Sequence, residues 1–486
     1  MENSRTVLFF DRCELTYLYG KMTPYMEGVK VIHVAYSQAE ANILAGMGIK
    51  SDYIYLQVYK EEYDNCLINN ELLNLIDEDI ITYSKGRFTL NSSIQSDRAF
   101  TLLSYEECLH QAVAHYLSWK TIFQDDHIDM LLHEPCSLFF NHIAAILCNK
   151  QGGTFTYQIQ LEGDQEGFSY LYANDDDFCF KEVKDKFNYY LKHPDRIDRE
   201  RCAHFLERFR KEQKVFFGNI INRRQPLWKL YINAARSYCI RLLNRKDSDK
   251  KYNLIDYWLL SQNSAWEKIR NIKGYERNHI HFYDSIPDGE KFFFYPMHLE
   301  PEAVVLYLGD GLYKNQVKLI ENVAAALPPG YYLYVKDHPH EFAYRSPDDY
   351  ARLSQVPNIR LLSQWLPGKE IIKRCEGLVT INGTAGFEAL LMGKQVYCFG
   401  QSHYSFHPRV NFIKNIRDFR NAVYTNIGVE YADDEVMSAY IMGYLKALHP
   451  GYTNFFLGTA DKLGINQDNN SERIAKDLVS YIDYFK

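Results

Sequence analysis

The stretch Thr380 to Leu390, TINGTAGFEAL, decides how this chain arranges its chemistry. Gly377 to Ile381 is a short apolar run suited to a buried strand, Asn382-Gly383-Thr384 is turn-forming, and Ala385 to Met392 opens a helix. That order aims backbone N–H groups and the Thr384 hydroxyl at one point beyond the strand's carboxyl end, a seat for a phosphate. Asn382, Gly383, Thr384 and Ala385 are therefore candidate binding residues. Glu388, one helical turn past Thr384, shares its face and is placed to accept hydrogen bonds from a ribose. A nucleotide-activated sugar would satisfy both. Gly383 and Gly386 would equally serve an ordinary strand-turn-helix connection, so the reading needs a second feature.

That feature is VKDHPHE, Val335 to Glu341. The preceding YYLYV reads as a strand, which puts Lys336, Asp337 and His338 at its carboxyl end. Ligands of open α/β sheets bind at that end, so two such strand ends in one domain open on one crevice. Pro339 fixes the backbone after His338 and would hold the imidazole in place. Lys336 or His338 can balance phosphate charge, and the backbone at His338 can read a base. A third group, PMHLEPE, follows the strand-like FFFY. If the chain stays extended there, His298, Glu300 and Glu302 alternate onto one side. Such a triad is either a reactive group or a turn whose acids hold basic neighbours.

With these pieces in place, the segment Phe292 to Tyr404 resembles the bacterial capsule polysaccharide synthesis proteins, which include the Kdo transferases of capsule assembly. The resemblance is carried by FFFYPMHLEPE, a helix beginning near Asn315, ALPPGYYLYVKDHPHE, VPNIRLL and LVTINGTAGFEALLMGKQVYCFGQSHY. It is strong over the C-terminal third and holds only in outline over the N-terminal half. It implies a GT-B-like α/β fold: two Rossmann-type domains facing a central cleft, the nucleotide in the C-terminal one, and a helical insertion between. It also implies a metal-independent, cytoplasmic glycosyltransferase of capsule or lipopolysaccharide synthesis, with a nucleotide-sugar donor and a glycan or lipid-linked acceptor. His338-Pro339 is similar to the pair that helps bind cytidine in transferases using CMP-activated ulosonic acids of the Kdo type. One departure stands out. Those transferases carry a Gln and a downstream Asp where this chain has His298, Glu300 and Glu302.

In that setting His298, Glu300 and Glu302 become catalytic candidates, as a carboxylate nucleophile or as a base. Pro301 should rigidify the turn that presents Glu302, which favours Glu302 and His298 over Glu300. In the N-terminal half, Glu134 and Glu162 each follow a strand-like run and could supply a general base, as could Asp11. Each serves equally well as a turn or capping acid. Two other functions fit the same motifs: a CDP-polyol phosphate transferase, and a non-catalytic nucleotide- or sugar-binding subunit of an assembly complex.

Composition fits a large folded enzyme. The chain has 486 residues, 46% apolar and 24% charged, which excludes disorder as its main state. No uninterrupted apolar run reaches the length of a membrane span, and MENSRTVLFFDRCEL lacks the pattern of a secretory signal. The 10 cysteines are scattered without a CxxC pair, as in a reduced protein, and neither a metal site nor a cofactor is expected. Four parts are expected: a Rossmann-like acceptor domain over 1–175, a basic helical insertion over 176–289, a nucleotide-sugar domain over 290–450, and a helical tail over 451–486. The net charge of −7 speaks against a nucleic-acid protein. Between Arg201 and Arg277, however, 18 Lys and Arg face 7 Asp and Glu. Two readings fit: a solvated helical hairpin packed on the first domain, or peripheral contact with an anionic membrane at the inner face of the cytoplasmic membrane.

Overall fold

Two apolar runs, Val7–Phe10 and Phe292–Tyr295, each become an inner strand of a separate sheet. The computed structural model describes residues 5–164, 167–174, 179–211, 227–244, 250–261, 264–338, 343–429, 431, 434–453, 460, 463–482 and 484. Pro339, the Asp175–Asp177 run and the cations Arg223, Arg224, Arg245 and Lys246 lie outside the described residues. The chain forms two compact units, one of Met1–Asp195 with Ile441–Lys486, the other of Arg196–Tyr440.

The first unit contains β1 (Arg5–Asp11), β2 (Val29–Ala35), β3 (Tyr53–Ile54), β4 (Met130–Leu132), β5 (Thr154–Leu161) and β6 (Ser169–Asn174). β1 pairs in parallel with both β2 and β4, while β5 and β6 pair antiparallel. β1 is buried on both faces, which is why its sequence is continuously apolar instead of alternating. Strand order reverses beside β1, giving the doubly wound plan. One sequence element reads differently in space. DYIYLQVY is strand only at Tyr53–Ile54 and then turns into the helix Tyr55–Asn65. Tyr55 and Tyr59, four apart, bury on one helical face, and the Tyr55 hydroxyl meets His115 Nδ1 at 2.8 Å.

The second unit holds β7 (Phe292–Pro296), β8 (Tyr332–Lys336), β9 (Ile359–Leu362), β10 (Gly377–Thr380), β11 (Gln395–Cys398) and β12 (Val410–Phe412). All pairings are parallel, in the order β12-β11-β10-β7-β8-β9. The sequence leaves β7 as the first strand and the order runs outward on both sides, so the switch point lies between β7 and β10. The fold is thus α/β with two Rossmann-type sheets, one in each unit.

The two units divide the chain after Asp195 and after Tyr440. Residues after 450 join the first unit: β13 (His449–Pro450) extends its sheet along β6, and the helix Gln467–Ile482 covers β1. Ile474, Ala475, Leu478, Tyr481 and Ile482 recur at helical spacing and bury against Val7, Phe9 and Leu132. The described basic helices from Arg199 onward belong to the second unit. Ser264–Arg277 packs against the helix Pro347–Ser354 of the second, where Asn271 donates to the carbonyls of Ala343 (3.0 Å) and Tyr344 (2.9 Å). The helix Lys181–Lys192 alone of the basic stretch's neighbours lies in the first unit among the described helices of residues 176–289.

A buried charge cluster fastens the C-terminal helix. His449 Nδ1 lies 2.7 Å from Asp477 and Nε2 lies 2.8 Å from Glu182, so only the imidazolium can donate to both. The hydroxyls of Tyr170 (2.7 Å) and Tyr172 (3.0 Å) also donate to Asp477. Burial pulls the His449 pKa down, but Asp477 and Glu182 overcome it and raise it to about 9. A group raised above its unfolded value of about 6.5 adds stability in full below that pH, and loses it as pH rises through about 9. Thermal melting between pH 6 and pH 10 should therefore show a wild-type decline that His449→Gln lacks. Parallel pH profiles for the two proteins would contradict this role.

Candidate functional site

Because β7 pairs with β10 on one side and β8 on the other, three sequence motifs end side by side. Pro296 of β7 is in register with Lys336 of β8, and β10 ends at Thr380 beside them. The turn after β10 is built on Gly383, whose φ of +117° opens the helix Thr384–Leu391. A Cβ there would stand 3.2 Å from His298 Cε1. His298 lies under the turn: its Nε2 is 3.1 Å from Thr380 Oγ1 and 3.4 Å from the Asn382 N–H. Thr380 Oγ1 in turn donates to the Asn382 carbonyl at 2.6 Å. Burial, then the charges of His338 and Arg345, push the His298 pKa down to about 3, so the ring is neutral.

The predicted phosphate seat divides into scaffold and donors. Asn382 is buried, its amide donating to the Gln401 carbonyl and its Oδ1 accepting from Gly383 N–H. Asn382 and Gly383 thus hold the turn, which leaves the backbone N–H groups of Thr384 and Ala385 as first-turn donors. Tyr404 braces the turn from behind, donating to the Gly383 carbonyl at 2.6 Å. A Cβ on Gly386 would fall onto the Tyr404 ring, which explains the second glycine. On the β8 side, burial pulls the Lys336 pKa down to about 8, against the opposing charges of Asp337 and Glu388. Lys336 and Glu388 are thereby close enough to interact, as are His338 and His298. His338 N–H donates to its neighbour Asp337 at 2.8 Å.

The motif PMHLEPE does not stay extended, so its groups do not share one side. The chain leaves β7 and bends at Glu300-Pro301 into the helical turn Val304–Leu308. His298 faces the β10 turn, whereas Glu300 accepts from Gln316 and pairs with Arg345 at 3.0 Å. Arg345 also donates to Asp337 (2.7 Å) and to the His298 carbonyl (3.3 Å), and Tyr350 donates to Asp337. Burial would lower the Arg345 pKa, but Asp337 and Glu300 raise it well above the usual value. Glu302 is half-buried, and its carbonyl accepts from Val305 (3.1 Å) and Leu306 (3.0 Å). The motif sits beside the phosphate turn on an adjacent strand of one sheet, not opposite it across a crevice.

Thr380, Gln316, Arg345 and Tyr404 organise this site, and none is a candidate on sequence grounds. The signal for Arg345 is chemical: Asp337, buried just past the end of β8, requires a cation, and Glu300, partly exposed after β7, shares it.

The remaining candidates belong to the first unit. Glu134 follows β4 and pairs with Arg12; burial would raise its pKa, but Arg12, His133 and Arg98 hold it below the ordinary value. That pairing makes Glu134 a weak base. Asp11 ends β1, meets His33 Nδ1 at 2.8 Å, and is pushed up to about 6 by burial against the influence of His33. Glu162 follows β5 half-buried, its carbonyl accepting from Tyr444 at 2.6 Å. Among the described residues no group of three or more His, Cys, Asp or Glu is arranged to hold a metal ion. No described helix is long and apolar enough to cross a membrane.

All six strands of the second sheet lie within residues 228–452, which match the family described as capsule polysaccharide biosynthesis protein. Among curated proteins none matches this chain. Similar solved structures include the beta Kdo 2,7 transferase of Thermosulfurimonas dismutans KpsC, 14% identical over 67% of this chain and 79% of that one, TM-score 0.30. The beta Kdo 2,4 transferase of the same protein is 13% identical over 67% and 82%, TM-score 0.32. The UDP-GlcNAc 2-epimerase of Neisseria meningitidis bound to UDP-GlcNAc is 12% identical over 91% and 97%, TM-score 0.24. Scores this low carry no residue role across.

Removing the shared cation tests the architecture of the site. Arg345→Met leaves Asp337 and Glu300 without their counter-charge, a change worth about 3–5 kcal/mol when a buried pair is broken. Urea unfolding should show that loss, and adding Asp337→Asn should recover part of it. A loss below about 1 kcal/mol, the scale of surface pairs, would contradict the buried network.

Proposed function

We propose that this chain is a glycosyltransferase of bacterial surface polysaccharide synthesis, whose nucleotide-sugar donor binds where β7, β8 and β10 end. The observation that carries the reading is the convergence of His298, Lys336–His338 and Thr384–Glu388 at the switch point of one sheet, inside the capsule-family segment. The Thr384 and Ala385 N–H groups, the Thr384 hydroxyl and Lys336 would hold the phosphate. Glu388 would hold the ribose, and His338 with Pro339 the base. A CMP-activated ulosonic acid of the Kdo type is the favoured donor, and a glycan or lipid-linked molecule the acceptor. The neutral His298, engaged through Nε2 with Thr380 and Asn382, acts as a turn support and not as a base.

In the reaction the bond from the anomeric carbon to the nucleotide's phosphate oxygen breaks, and a bond to an acceptor oxygen forms. The nucleotide leaves with the bonding electron pair, and the acceptor proton passes to a base. Glu300, tied to Arg345 and Gln316, is committed to structure. With Pro301 set to rigidify the turn that presents it, Glu302 is the favoured acid, as that base or as a nucleophile that first takes the sugar.

Two measurements test the reading. Thermal shift at one fixed concentration of CMP, CDP, UDP and GDP should be largest for CMP, reaching about 2.7 kcal/mol where that concentration is 100 times its dissociation constant. His338→Ala and Thr384→Val should weaken that binding without unfolding the protein. Affinity should also fall as pH rises through about 8, where Lys336 loses its charge, and this dependence should vanish in Lys336→Met. Unchanged affinity in all three variants would remove the donor from this site. Separately, Glu302→Gln should lower turnover about a hundredfold or more while nucleotide still binds. Normal turnover would move the catalytic acid to Glu134 or Glu162, and nucleotide binding without any turnover in wild type would favour a non-catalytic subunit.

A further inference from the structure

The helix Leu227–Asn244 has two apolar faces, and among the described residues only one is packed. Leu230 and Ala234 bury against Ile269 and pack beside Ile272 of the helix Ser264–Arg277. On the other side, Trp228, Ile232, Ala235 and Cys239 recur at helical spacing and form an outward stripe. Trp228 is 60% exposed, Ile232 58% and Tyr238 57%, and Cys239 is exposed with them. Tyr231 and Tyr238, seven apart, border the stripe on one edge. Lys229 and Arg236, also seven apart, border it on the other. Trp266 extends the aromatic surface from the neighbouring helix, its ring 6.1 Å from that of Tyr231.

The charge around this stripe is predominantly positive. Leu227–Asn244 contains Lys229, Arg236 and Arg241 and no carboxylate. The adjacent helix adds Lys268, Arg270, Lys273 and Arg277 against Glu267 and Glu276, and the Lys273 ammonium lies 5.9 Å from the centre of the Tyr231 ring. A contiguous exposed apolar stripe marks a surface that is covered in use. Tryptophan and tyrosine along an aliphatic stripe, edged by cations and free of acids, match the depth profile of an anionic bilayer: apolar groups among the acyl chains, aromatics and cations at the headgroups.

We infer that the outward face of the helix Leu227–Asn244 seats the protein on an anionic lipid surface, with Trp228, Ile232 and Tyr238 inserted and Lys229 and Arg236 on the headgroups. The docking rests on this face alone and does not depend on which donor the second unit binds. It would hold the enzyme at the surface where lipid-linked acceptors are found.

Co-sedimentation of the full chain with vesicles of phosphatidylglycerol and phosphatidylethanolamine, compared with phosphatidylcholine, tests the inference. Binding is expected to the anionic vesicles only and to fall with added salt. Lys229→Gln with Arg236→Gln should weaken it about thirtyfold, at roughly fivefold per cation. Trp228→Ser with Ile232→Ser should abolish it, while both double variants keep the wild-type melting temperature because neither touches the buried face. Failure of the wild type to bind anionic vesicles, or undiminished binding by both double variants, would overturn the inference. So would self-association through this face, seen as a dimer by light scattering that Trp228→Ser with Ile232→Ser dissolves while no vesicle binding is found.

Discussion

The position of β7, hydrogen-bonded to β8 on one side and β10 on the other, is the constraint on which the candidate site depends. Parallel pairing aligns the three carboxyl ends, so groups far apart in sequence come within contact distance without any loop having to reach. His298 then meets Thr380 and Asn382 through one hydrogen-bond layer, and Lys336 comes within the field of Glu388. Arg345 secures the same corner from below. Its side chain is almost wholly buried and is shared between Asp337 at the end of β8 and Glu300 after β7. A guanidinium suits that place because its fork can serve two carboxylates and a carbonyl at once.

The basic helices contribute to this corner instead of standing apart. Asn271 and Tyr275 of the helix Ser264–Arg277 hold the carbonyls of Ala343, Tyr344 and Arg345, so the segment that carries the central cation is positioned by the region that the charge count sets apart. Packing therefore links the outward stripe of the helix Leu227–Asn244 to the site through one intervening helix. In the first unit the analogous economy is the C-terminal helix, whose apolar face covers β1 and whose Asp477 is held by His449.

Much of this was legible in the sequence, for reasons that can be named. The strands β1, β7, β8 and β10 are short apolar runs followed by turn residues, and the glycines of the 380–390 stretch answer to steric demands the structure displays: a positive φ at Gly383 and the Tyr404 ring against Gly386. Contacts between distant positions were less legible. PMHLEPE shows a turn at Pro301 but not that His298 and Glu300 go in different directions, because that depends on Gln316 and Arg345, which lie elsewhere in the chain. DYIYLQVY alternates as a strand would, but alternation and helical spacing coincide at Tyr55 and Tyr59, and burial against the helix Tyr105–Phe123 decides for helix. The terminal helix finds its core partner on a strand at the other end of the chain, a contact that no local pattern displays.

The central claim is that three strand ends of one sheet form a single nucleotide site. Hydrogen exchange of the full chain with and without CMP tests it most directly, since amide protection reports each segment separately. The account predicts that CMP slows exchange together at residues 298–300, 336–338 and 383–388, with the first unit unchanged. Protection confined to one of these segments, or appearing instead around Arg12 and Glu134, would contradict it.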